Sequence, residues 1–484
     1  MNSAEFTTFD ELKQSEMRRV AIISSLGTLI EWYDFFIFGT MSSTTASLFY
    51  KTGNPYGDLI AWLGAFAVGF MFRPFGAFLF GYIGDKVGRK STFLITLSMM
   101  GASTFLVGCL PTYDTIGVTA GFLLILLRII QGLSVGGEYG GAAAFICENC
   151  PQDQRGFYTS FLQMTAKLGI SLSLLAIIVF KLSLGDTAWL QYGWRFPFLV
   201  SIFLVGLSIY VRFNLKESPM FMEAKRQGGV VGNPLVEAIC LPYNLYYMFV
   251  ALAAVMGQGI TFQTANFYAL TFLQSTIKVP QITSYIIMLI ALLGTIPFQI
   301  LFGWMSDKVG RKPMILTGVA LSAFFLYPLF YGVYACRPFE KNDPKQPFRE
   351  SYDPVLICFY LWILNVFGAA AYAPMAAFLV ELFPTGIRYT CVSIPYHIGN
   401  GIFGGLVPVV AVSISTATRN VFGGLFYPIG VCSFGFFTTL LFAPETLGRD
   451  IRKIKKGSAA RLSGIDERSG YSELQRRSGF VSAS

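Results

Sequence analysis

Six ionisable side chains stand in stretches of chain that are otherwise apolar: Glu31, Asp34, Arg73, Arg128, Glu138 and Lys167. Glu31 and Asp34 are i and i+3, so on a helix they share a face with Cβ atoms about 5–6 Å apart. Two carboxylates that close in a low-dielectric setting resist joint ionisation, which suits one of them to carry a proton. The competing reading pairs either acid with a buried arginine. Arg128 and Lys167 offer a planar fork and a point charge, able to hold an anionic group together. With equal standing, they neutralise Glu31 and Asp34 in a closed cluster of two acids and two bases. Gln131 and Glu138 share the helical face of Arg128, but Glu138 lies about 15 Å further along, too far for a direct pair with it. Arg73, in FRPFG, reads as a structural or gating ion partner. In the second half the polar candidates are uncharged: Gln258 inside GQG (257–259), Gln263, Asn266 and Asn365. GQG predicts a break in its helix. The single histidine, His397 in YHIGNG, reads as a neutral hydrogen-bonding residue before it reads as a proton relay.

The elements that position these groups follow from composition. The 484 residues are 54% hydrophobic and only 13% charged, against about 25% charged in soluble domains. Such a chain cannot cover a water-facing surface, so lipid is its main solvent. Twelve apolar runs are long enough to cross a bilayer: 20–49, 58–82, 92–110, 118–147, 158–181, 196–213, 244–272, 282–304, 314–334, 354–382, 389–415 and 420–443. The first is too long for a leader peptide. With the N-terminus inside, inner segments hold 24 Lys and Arg and outer segments nine, which places both termini in the cytoplasm. The net charge of +9 therefore follows loop position, and nucleic-acid binding is excluded. Cys147 and Cys150 form a CxxC with no second pair, so no metal site or cofactor is expected. The glycines around Glu138 read as packing residues.

Internal repetition is the strongest pattern. GYIGDKVGRKS (81–91) and GWMSDKVGRKP (303–313) match at an offset of 222. ENCPQDQR (148–155) and ELFPTGIR (381–388) match at 233, and KESP (216–219) is echoed by PETLG (444–448). The chain reads as six helices duplicated in parallel: a cytoplasmic segment 1–19, a first lobe 20–213, a central loop 214–243, a second lobe 244–443 and a tail 444–484. Asp85, Arg89, Lys90, Asp307, Arg311 and Lys312 in one repeat, and Glu148, Arg155, Glu381 and Arg388 in the other, are candidate gating residues, joined by Arg73 and Glu138. The plainer reading of the first repeat is a topology anchor.

GDKVGRK and its copy SDKVGRK resemble the loop signature of the major facilitator superfamily. RIIQGLSVGGEYGGA, the ENCPQDQRG stretch, EWYDFF, FRPFG and YGWRFPF together resemble the metabolite:proton symporter family, which includes permeases for α-ketoglutarate, shikimate, citrate and proline/betaine. The resemblance runs from about 20 to 448. It implies an all-α polytopic membrane protein of twelve transmembrane helices in two six-helix lobes, and proton-driven uptake by alternating access. The expected substrate is a di- or tricarboxylate, or a zwitterion such as proline or betaine. Asp34 and Glu31 are then the proton-coupling candidates, and Arg128, Lys167, Gln131, Gln258, Gln263, Asn266 and Asn365 the substrate contacts. A monomer in the plasma or bacterial inner membrane is expected. An uncoupled facilitator or sugar-porter-like transporter would lack a titrating midplane acid, and a transporter-fold sensor would carry a long folded extension. The chain has no nucleophile elbow, zinc spacing or phosphate loop, so it is not read as an enzyme.

Overall fold

The computed structural model describes residues 28–87, 89–213, 242–338, 352–384 and 387–451. The segment 1–19, most of the central loop, the stretch 339–351 between the ninth and tenth apolar runs, and the tail past 451 lie outside them. So do the side chains of Asp85, Arg89 and Lys90.

The described residues form twelve membrane-length helical elements and no strand: α1 (28–49), α2 (Pro55–Ile83), α3 (Arg89–Cys109), α4 (Thr119–Glu148), α5 (Gln152–Gln191), α6 (Gly193–Tyr210), α7 (Pro242–Ser275), α8 (Gln281–Val309), α9 (Arg311–Ala335), α10 (Pro354–Leu382), α11 (Arg388–Thr418) and α12 (Gly423–Phe442). Local chemistry explains several ends. Pro55 and Pro354 occupy first helical turns, where a missing N–H costs nothing. Asn54 and Asp353 cap those turns by accepting from Tyr56 N at 3.0 Å and from Val355 N and Leu356 N at 3.1 and 3.0 Å. Helix α5 kinks at Gly185, whose φ of 75° is non-helical, and a second helical stretch continues from there to Gln191.

Helices α1–α6 and α7–α12 make the two lobes. Within the first, α2 and α4 cross at backbone contact. A Cβ on Gly132 would lie 2.0 Å from Gly69 O, and one on Gly136 2.0 Å from Arg73 O. Small residues at such crossings let helices associate where lipid gives no hydrophobic drive. Between the lobes α5 packs along α8, and Gly156 and Gly303 face each other with ideal Cβ atoms 2.5 and 2.7 Å from the opposite carbonyl.

Four helices are irregular at one level. Helix α2 turns at Phe72, just before Pro74, which has no N–H to donate. Helix α4 is interrupted at Gly137–Glu138, α10 at Ala373–Pro374, and α11 becomes a π-helix over Ile398–Gly404. Helix α7 is not broken at GQG. It runs continuously over Pro242–Gln263 and becomes a π-helix over Thr264–Tyr268, five residues beyond the expected break. Gly259 instead lets Asn400 approach, its ideal Cβ lying 2.7 Å from Asn400 Oδ1.

Candidate functional site at the seam between the lobes

At one end of the bundle the repeated acids and bases form a buried layer. Arg388 donates to Glu148 at 2.8 Å across the seam. Arg155 lies 3.6 Å from Glu381, also across it. Arg311 reaches Asp307 at 2.6 Å and Glu381 at 3.4 Å inside the second lobe. Asp307 caps the start of α5 in the other lobe, accepting from Gly156 N and Phe157 N at 2.8 and 2.7 Å. The PETLG echo belongs to this layer. Glu445 accepts from Arg311 N and Lys312 N at 2.9 and 3.0 Å, Thr446 donates to Glu381 at 2.8 Å, and Gly448 O receives Gln152 at 2.6 Å. Lys312 points elsewhere, its Nζ donating to Leu440 O at 2.8 Å.

The expected midplane charges are not gathered into one cluster. Asp34 is wholly buried, and among the described residues neither carboxylate oxygen makes a hydrogen bond of ordinary geometry. It sits inside the first lobe, with Thr104 of α3 donating to its backbone carbonyl at 3.4 Å and the Ser201 side chain of α6 beside its carboxyl. Arg128 bonds Gln131 at 2.5 Å and the carbonyls of Phe35 and Phe66 at 3.5 and 3.3 Å, between the rings of Phe35 and Phe38 at 4.6 and 4.3 Å. Gln131 completes that tie by donating to Thr104 at 2.8 Å. Lys167 instead crosses the seam, donating to Asn365 O at 3.1 Å. Neither base therefore neutralises Asp34. Glu31 and Glu138 face a small cavity of about 10 Å³ with Thr28, Trp32, Val135 and Tyr139.

In the second lobe Asn400 donates to Gln258 Oε1 at 3.3 Å. Gln258 Nε2, Gln263 Oε1, Asn266 Oδ1 and Asn365 Oδ1 are buried without partners. Asn266 and Asn365 return their amide protons to Phe262 O and Leu361 O of their own helices, at 2.7 and 3.1 Å.

A polar cluster that sequence reasoning missed lies across the seam at the level of the four irregularities. Tyr139 of α4 stacks on Tyr396 of α11 with ring centroids 3.4 Å apart. The hydroxyls of Tyr372 and Tyr396 are 3.2 Å apart. Gln163 of α5 donates to Tyr139 Oη at 2.9 Å and Tyr372 O at 3.2 Å. Arg73 and His397 join the group, within electrostatic range of each other. Among 24 tyrosines in an aromatic-rich chain, nothing in the order of residues marks these three. The irregular backbone is not foreseen either: the sequence predicts a break only at GQG, and Gly136 and Gly137 read as packing residues.

At the opposite end the seam is held by neutral or singly charged contacts. Lys181 donates to Gln281 at 2.5 Å, Gln281 to Ser43 at 3.1 Å, and Tyr285 to Thr40 O at 3.2 Å. Beside them lies a cavity of about 220 Å³, lined in part by Ser43, Asp58, Gln274 and Lys278.

Two lobes of six helices, joined by ion pairs at one end and enclosing buried polar side chains, match the architecture of known transporters. The model of the sugar (and other) transporter family matches residues 20–228 and 236–457. The chain belongs to this family, within the major facilitator superfamily. It is similar to the glycine betaine/proline/ectoine/pipecolic acid transporter OusA of Dickeya dadantii, 29% identical over 94% of this chain and 88% of that one. A putative proline/betaine transporter of Staphylococcus aureus is 30% identical over 94% of both chains. A putative metabolite transport protein of Haemophilus influenzae is 34% identical over 82% of this chain and 87% of its own length. Among solved structures, the proton:xylose symporter XylE bound to 6-bromo-6-deoxy-D-glucose superposes with a TM-score of 0.71 at 18% identity, covering 90% of this chain and 98% of XylE. This likeness shows the fold. The protein is a multi-pass membrane transporter.

Proposed function

We propose that this transporter takes up a small organic acid or zwitterion together with a proton, by alternating access across a bacterial inner membrane. The observation that carries the coupling is Asp34, wholly buried, with only the Ser201 side chain beside its carboxyl and no Lys or Arg paired with it among the described residues. An unpaired carboxylate is costly in such a setting, whereas a carboxylic acid is not. Closure of the lobe thus favours the protonated form, and readmitted water favours release. Each inward proton supplies roughly 2.3 kcal/mol per 100 mV, enough to concentrate a solute about 40- to 50-fold.

The layer of Glu148, Arg155, Asp307, Arg311, Glu381 and Arg388 serves as the cytoplasmic gate. Its cross-lobe pairs must break for inward opening, and the excess of Lys and Arg in the loops at that end supports a cytoplasmic side. The Lys181–Gln281–Ser43 contacts close the other side with fewer charges. The likeness to OusA, a glycine betaine/proline/ectoine/pipecolic acid transporter, and to the proline/betaine transporter relative of Staphylococcus aureus supports proline- and betaine-like zwitterions as the substrate class. The likeness to XylE is one of fold and carries no argument for a sugar as substrate.

The test is uptake into proteoliposomes with an imposed inward proton gradient. Labelled glycine betaine, proline, 2-oxoglutarate and xylose are compared. Accumulation of one of the first three that collapses with a protonophore is expected. Equilibration without accumulation would make the protein a facilitator.

A further inference from the structure

We infer that Arg73 holds the substrate's carboxylate, with Tyr372 and Tyr396 of the other lobe closing over it; this rests on the uptake reading above. Arg73 is 1% exposed, and its Nε and Nη2 have no hydrogen-bond partner among the described residues. The rings of Trp32, Phe35 and Phe70 surround it at 4.8–5.2 Å from Cζ. Ring faces stabilise the cation. They leave in-plane N–H groups unused, and a planar fork of donors matches a carboxylate in two-point fashion. A buried guanidinium without an acid is costly to maintain, and an anionic ligand offsets that cost.

Arg128 and Lys167, the cations that spacing alone favoured, are differently placed. Arg128 is tied to Gln131 and to two carbonyls of its own lobe. Lys167 donates to the Asn365 carbonyl. Arg73 combines unused donors with a position on the seam, where both lobes contribute. It opens the lower half of α2, next to Pro74, within electrostatic range of Tyr372 and Tyr396, whose hydroxyls are paired. Gln163 Oε1 is also buried without a partner among the described residues, and buried His397 lies edge-on to the rings of Tyr139 and Tyr396. Three helices besides α2 lose regular geometry at this level, as transporter helices do around a bound solute.

The site sits on the gate. Gln163 is eight residues from Arg155 on α5, and Tyr396 eight from Arg388 on α11, about 12 Å along each axis. An aromatic path leads away from Arg73. Trp32 stacks on Phe36 at 4.9 Å, Phe36 meets Phe262 at 5.8 Å, and Phe262 meets Tyr372 at 5.4 Å. When the lobes part, the rings of Phe36, Phe262 and Tyr372, packed on one another in this closed form, would be free to receive a methylated or cyclic ammonium. The ligand class is therefore a compact zwitterion, carboxylate on Arg73 and ammonium on the rings.

The test measures binding of glycine betaine and of its methyl ester to the purified full-length protein in nanodiscs. The wild type should bind betaine at least about 30-fold more tightly than the ester, since hydrogen bonds to charged groups carry this much discrimination. Arg73→Gln should bind the two within about threefold of each other, and Arg73→Lys should fall between. A merely structural Arg73 would weaken both ligands equally and leave their ratio at the wild-type value, which overturns the assignment while leaving the uptake reading intact. Equal binding of betaine and ester by the wild type overturns it without any variant. If the wild type binds neither betaine, proline nor 2-oxoglutarate but binds xylose, the uptake reading falls with it.

Discussion

Glu148 and Arg388 are joined at 2.8 Å, 240 residues apart in the chain. They are the acid of one copy of a repeat and the base of the other. The remaining acid and base, Glu381 and Arg155, approach to 3.6 Å in the reciprocal sense. Duplication has thus produced two crossed pairs around one seam. Each lobe supplies both charges, so neither lobe can leave without breaking both pairs.

Breaking a buried pair by removing one partner costs about 3–5 kcal/mol, because a charge is left uncompensated. Arg388→Ala should therefore shift the population toward a form open at this end. Cys147 and Cys391 are buried on the two segments carrying the pair. Their initial rate of maleimide labelling should rise at least tenfold. The exchange Glu148→Arg with Arg388→Glu should restore most of the protection. Unchanged labelling in Arg388→Ala would remove this pair from the gate.

Asp34→Asn keeps the shape of the side chain and removes its proton. Uptake driven by a pH gradient should fall at least tenfold, while counterflow exchange of labelled for unlabelled solute persists. The residual uptake should lose its dependence on external pH. Full accumulation by the variant would transfer the coupling role to another group, with Glu31, on the cavity shared with Glu138, next in line.

Arg128 braces the first lobe from inside, through Phe35, Phe66 and Gln131. Arg128→Gln should lower the thermal midpoint in detergent, since it leaves two carbonyls and Gln131 with a missing partner at about 1–3 kcal/mol each. It should leave the betaine-to-ester binding ratio within about twofold of wild type. Collapse of that ratio would return the carboxylate to Arg128.

Much of this architecture was legible before any coordinates. Apolar length placed all twelve helices, and the repeats singled out the four residues that form the crossed pairs. Partner choice was not legible, because it is set by how the two lobes meet. The same limit hid the stack of Tyr139 on Tyr396, 257 residues apart. Spacing on α1, α4 and α5 put Asp34, Arg128 and Lys167 at similar depth. Depth does not report which way a side chain turns, and these three turn into the first lobe, between α1 and α2, and across the seam. GQG misled for a related reason: glycine in a membrane helix serves close packing as readily as a break.

The crossing of α2 and α4 sets the position of Arg73 and offers a last check on the seam. An ideal Cβ on Gly136 would lie 2.0 Å from Arg73 O and 2.7 Å from Ala77 N, both backbone atoms that no rotamer change can move. Gly136→Ala should therefore push α2 away from α4, with a penalty of about 1–3 kcal/mol. Because Arg73 is carried on the displaced segment, the betaine-to-ester ratio should fall at least fivefold even where the protein still folds. Gly64 has open space around its Cβ, so Gly64→Ala in the same helix serves as the control and should change neither the thermal midpoint nor the ratio. A Gly136→Ala protein with both quantities intact would show that this crossing does not hold Arg73 in place.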